Sequence, residues 1–167
     1  MIITEQLIEW AEDNGACEEG INQARQLIGR SVHDLDANYR YWAMVNRPDC
    51  PIDLEGLGSC DRVWVMTRRK DCPIDLEGLP PAWRSWVMVN RKDCPIDLEC
   101  LTPGNRALVM INREDCPIDL EGLTSDQRAR VMIRRKDCPV DLEGLTSYER
   151  NWVMANRPDY KPETTTS

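Results

Sequence analysis

The 167-residue sequence contains no Phe and a single His, His33. With one imidazole, most His-based metal sets and catalytic arrangements are excluded at the outset. No apolar run approaches the ~20 residues of a membrane span. Residues 1–17 carry acids where a secretory leader would carry bases, and they lack an apolar central segment. A cytoplasmic protein is therefore expected. There is no C-x-x-C pair, and the tightest cysteine spacing is Cys94 to Cys100, so neither a bound metal nor a cofactor is expected.

What the sequence does contain is a period. Arg40, Arg62, Arg84, Arg106, Arg128 and Arg150 lie 22 residues apart, and each opens a unit such as RSWVMVNRKDCPIDLECL. Counting that arginine as place 0, places 0, 4, 7, 9, 10, 11, 13, 14, 15 and 17 are identical in five full copies; a truncated sixth follows. Five of the eight cysteines (Cys50, Cys72, Cys94, Cys116, Cys138) fall at place 10. Equivalent places on stacked helices are ~8–10 Å apart, beyond the ~7 Å that a disulfide spans between Cα atoms. They are expected as buried, reduced thiols.

Each unit reads as one helix and one short helical turn. Thr102-Pro103 places a good N-cap before a proline at the first helical position, and Thr146 to Glu149 has capping-box spacing. The helix runs from place 18 or 19 to about place 7, where Asp-Cys-Pro stops it. Pro-Ile-Asp-Leu-Glu then offers a second turn, with leucines at places 14 and 17 on one face. Place 16 is Gly in four copies, but Cys100 in the third implies that a left-handed backbone is not demanded there.

The unit VMVNRKDCPIDLEGL resembles the leucine-rich repeat variant, in which Val, Asn, Pro and two Leu recur at this spacing. The likeness covers residues 40–160 and holds in all five copies; it implies an all-α, right-handed solenoid of α-helices alternating with 3-10 turns. The unit is shorter than the family's usual one and has Met where Ala is usual, which bears on superhelix curvature. The iron–sulphur cluster of one family member belongs to a cysteine-rich segment with no counterpart here.

Residues 1–39 lie outside the repeat and read as an N-terminal cap of two helices parted by Asn14-Gly15. Residues 161–167 contain no apolar side chain and are expected to be a disordered tail. The cap holds eight acids against two bases, a net charge of −6, while residues 40–167 hold 21 acids against 19 bases. A balance of this kind disfavours nucleic-acid binding through bulk charge and fits a protein partner with a basic surface.

The Asp and Glu at places 13 and 15 form a paired-carboxylate pattern, but general acid–base catalysis needs one pair in one pocket, not five along a rod. They are expected to cap helix ends and pair with arginines. Cys17 and His33 are the one local nucleophile-and-base combination, and no residue stands out to orient them. The expected function is therefore non-catalytic.

Place 2 is Trp42, Trp64, Trp86, Leu108, Arg130 and Trp152. A ladder that accepts Arg beside Trp is half-exposed, so Val at place 3 and Met at place 4 are the better core candidates. Exposed Trp is the composition of a binding hot spot, whereas Trp covering the groove between helices and stacked with Arg would be packing. The candidate partner-binding set is Trp42, Trp64, Trp86 and Trp152, Arg69 and Arg91 from the place-7 ladder, and the cap acids Glu12, Asp13, Glu18 and Glu19. The leading expectation is a protein-binding solenoid, in its most specific form an acidic inhibitor of a nucleic-acid-handling complex, of the phage or mobile-element anti-defence type. The alternative is a nucleic-acid-binding solenoid that tracks phosphates with its Arg ladders.

Overall fold

A computed structural model describes residues 1–160, and the expected tail at 161–167 lies outside the described residues. Eight α-helices and one 3-10 helix make up the described chain, with no strand among the described residues. Two compact units divide it, Met1–Leu79 and Pro80–Ser167.

In the first unit the cap comprises α1 (Glu5–Asp13), α2 (Glu18–Gln26) and the 3-10 helix Val32–Asp34, followed by the repeat helices α3 (Ala37–Asn46) and α4 (Ser59–Arg68). Thr4 caps α1 by accepting from the Leu7 N–H, and Gly15 makes the left-handed turn between α1 and α2 with φ of +80°. An isolated antiparallel bridge joins Ile2 to Ser31, tying the chain start to the end of the cap. Helix α1 packs on α2, and α3 on α4.

The second unit is regular. Helices α5 (Pro81–Asn90), α6 (Pro103–Asn112), α7 (Ser125–Arg134) and α8 (Ser147–Asn156) recur with the period of the sequence. Each packs on its sequence neighbour, the serial packing of a helical solenoid. The starts follow from capping: Thr102 and Thr124 accept from the N–H three residues on, and Thr146 forms a complete capping box with Glu149. Place 3 and place 4 fill the core, with Val87, Val109, Val131, Met88, Met110 and Met132 fully buried. Each such side chain is worth about 1.5–3 kcal/mol of transfer free energy.

The segment after each helix is shorter than the expected helical turn. In the first copy it is a β-turn, closed by the Leu57 N–H to the Leu54 carbonyl at 3.2 Å. Place 16 is its third residue, and Gly56, Gly78, Gly122 and Gly144 all adopt φ near +70°, the type II pattern. Glycine thus takes the left-handed backbone in every full copy that has it. Cys100 makes the corresponding turn without a positive φ, so the place uses that conformation but does not require it.

The core methionine has a second role. The thioethers of Met44, Met110 and Met132 accept from the backbone N–H of Asp53, Asp119 and Asp141 at 3.2–3.3 Å. Met therefore fills the interior and satisfies one N–H of the segment folded beneath the helix.

Candidate interaction site

The arginine ladders are structural staples. Arg69 and Arg91, expected on a partner-facing surface, are only 7% and 5% exposed. Arg69 Nη1 donates to the carbonyls of Met44, Arg47 and Cys50 at 2.9–3.2 Å, one repeat earlier. Arg113 reaches Met88, Arg91 and Cys94 in the same way, and Arg157 reaches Met132, Arg135 and Cys138. These oxygens lie at and just past a helix C-terminus, where carbonyls lack intrahelical partners and the dipole favours a cation. The place-9 aspartate completes the arrangement: Asp115 receives Nε and Nη2 of Arg113 at 2.7 and 2.6 Å. That bond from Arg113 is the chief reason the Asp115 carboxyl is held down at about 2, as the bond from Arg91 is for Asp93. Their own repeat does not disclose this burial, because the carbonyls that accept from Nη1 belong to the preceding repeat.

Place 0 forms a second set of staples. Arg106 donates to the Asp119 carboxylate at 2.9 Å and also to the Glu121 carbonyl, and Arg128 does the same with Asp141 and Glu143. The place-13 aspartate further accepts from the N–H two residues on. In the first copy Asp53 binds both Arg40 and His33 Nδ1. Burial opposes its ionisation, yet the bonds from His33 and the Glu55 N–H, with the Arg40 charge, hold its carboxyl below the usual value. His33 is thus a structural partner of the first repeat.

At place 10, Cys50, Cys72, Cys94, Cys116 and Cys138 are buried thiols. Burial raises the thiols of Cys50, Cys94, Cys116 and Cys138 above their ordinary range, the opposite of what a nucleophile or ligand needs. Among the described residues no three His, Cys, Asp or Glu side chains gather as a metal site, and no helix is long and apolar enough to cross a membrane.

The place-2 residues share a helical register but have different surroundings. Trp42 turns to the cap, its ring 5.6 Å from that of Trp10. Trp64 lies under the Arg68 guanidinium, 5.1 Å from the ring centre. Trp152 is half-buried. Trp86 and Leu108, on the packed helices α5 and α6, are 41% and 40% exposed, and Arg130 on α7 is exposed and paired with Asp126. Of the cap acids, Glu12 binds Arg25 across α1 and α2, while Asp13, Glu18 and Glu19 are exposed.

The structure also contains a feature absent from the sequence-based expectations. A cavity of about 440 Å³ opens within the cap, between α1, α2, the segment around Val32 and the start of α3. Its walls include Leu7, Trp10, Ile21, Tyr39, Tyr41 and Trp42, and Arg47 is its one charged side chain. The available signal was aromatic clustering, since four of the ten Trp and Tyr residues fall within residues 10–42. Gly20 sets one wall: a Cβ there would lie 2.8 Å from the Tyr39 ring, so glycine lets that ring lie against α2. Burial pushes the Tyr39 and Tyr41 phenols up.

Comparison with protein-family models, curated proteins and solved structures finds no match for this chain.

Proposed function

We propose that this chain is a non-catalytic, protein-binding helical solenoid, and that its repeats are a shortened form of the leucine-rich repeat variant. The observation that carries the binding role is the exposed pair Trp86 and Leu108, left in solvent beside fully buried Val87, Met88, Val109 and Met110. Large apolar side chains on adjacent helices favour a protein partner, because Trp in particular gains binding energy once desolvated. The narrower form of this reading is an inhibitor whose acidic cap, through Asp13, Glu18 and Glu19, occupies a basic surface of a nucleic-acid-handling complex.

The nucleic-acid alternative is weakened by the same geometry. From Arg69 onward the place-7 guanidiniums are buried, those of Arg69, Arg113, Arg135 and Arg157 are spent on carbonyls, and four place-0 guanidiniums are paired with aspartates. Affinity capture from the source cell separates the readings. Wild-type protein should retain a protein partner, and Trp86→Ser with Leu108→Ser should lose it while the helical circular dichroism stays unchanged. Retention of the same partner by that double variant would overturn the surface proposed here. Salt-dependent retention of DNA or RNA by wild type would favour the alternative.

A further inference from the structure

We propose that the cap cavity is a binding site for a small amphiphile, an apolar body ended by a carboxylate. At about 440 Å³ it falls within the size range of small-ligand pockets. Its lining has the composition of such pockets, mostly apolar and aromatic with few polar groups.

The polar end is assigned by comparing Arg47 with its equivalents. Arg69, Arg113, Arg135 and Arg157 each hold the place-9 aspartate with Nε and Nη2 and give Nη1 to carbonyls of the repeat before. Arg47 holds Asp49 in the same way, at 2.7 and 3.2 Å. No repeat precedes it, however, and its Nη1 has no acceptor among the described residues. Instead the guanidinium lies 5.1 Å from the Trp10 ring centre, on the wall of the cavity. Two or three oxygens satisfy the equivalent Nη1 elsewhere, and a carboxylate brings two together with a charge that strengthens each bond. The exposed acids of the cap oppose an anion only weakly, since their field is screened over about 8 Å at physiological ionic strength.

The test uses sodium decanoate, with 1-decanol as the uncharged probe, read by Trp emission and by the indole N–H resonances. Decanoate should give a saturable change, with shifts centred on Trp10 and Trp42 and absent from Trp86 and Trp152. Ala24→Phe, which fills the cavity from α2, should abolish it. Arg47→Gln should weaken decanoate by about tenfold, the effect of losing one charge-assisted bond, and leave 1-decanol unchanged. No saturable response up to about 1 mM, a ligand affinity too weak to matter in the cell, would overturn the proposal. So would shifts centred on Trp86, or a preference for decanoate that survives Arg47→Gln. The resonance map is made on wild-type protein, so it decides the location even if a variant fails to fold.

Discussion

Arg47 and Arg113 occupy the same place of the same repeat, yet one lines a cavity and the other is embedded in backbone. The difference lies in what precedes each. Arg113 meets the C-terminus of a helix one period earlier, whose carbonyls fall where its Nη1 points. Arg47 meets a cap of different sequence, which offers an indole face and open space. A repeat therefore carries half of each staple, and only a second copy completes it. The irregular cap closes the array without reproducing the fit, and the space left over is the cavity.

Removing the staple should expose this contrast most sharply. Arg113→Ala strands buried carbonyls and is expected to destabilise the protein by about 3–5 kcal/mol. Arg47→Ala, whose Nη1 contacts no carbonyl, should cost about 1 kcal/mol or less. Urea denaturation of both variants checks the pair, and equal losses would mean that the preceding repeat adds nothing. A smaller difference is expected in the core. Met110→Ala opens a void in the middle of the second unit and should cost about 2–4 kcal/mol. Met154→Ala, at the same place of the truncated copy but 42% exposed, should stay within about 0.5 kcal/mol.

The smallest effect is expected from pH, through the place-9 aspartates. Asp93 and Asp115 sit at about 2 in the folded protein, against an ordinary value of 3.8. The unfolded chain therefore binds their protons more readily, so their contribution is complete above the ordinary value and disappears as pH falls through about 2. Stability should hold steady from neutral pH to about 5 and decline between about 4 and 2. Asp115→Asn should flatten that decline in denaturant titrations across pH. An undiminished acid slope in this variant would assign the effect to other carboxylates.

The sequence was most readable where the chemistry is local. Thr102, Pro103, Thr146 and Glu149 announced their helix starts because an N-cap needs a partner within its own first turn. Place 10 was legible as buried thiols, since spacing alone prevents the equivalent cysteines from pairing. Place 2 was legible in part: tolerance of Arg130 marked a half-exposed register, but not that Trp42 would turn to the cap or that Arg68 would cover Trp64. The place-7 arginines were misplaced because a charged residue at a helix end ordinarily faces water. Nothing in their own repeat discloses the carbonyls that bury them.

Side-chain type and spacing along one chain were enough to establish the period, the helix in each unit, the valine and methionine core and the acidic excess of residues 1–39. Three-dimensional packing alone settled which guanidiniums are buried, which Trp stays in solvent and whether the cap fits. Those outcomes depend on where a neighbouring element places its carbonyls and rings, and spacing along the chain does not encode that meeting.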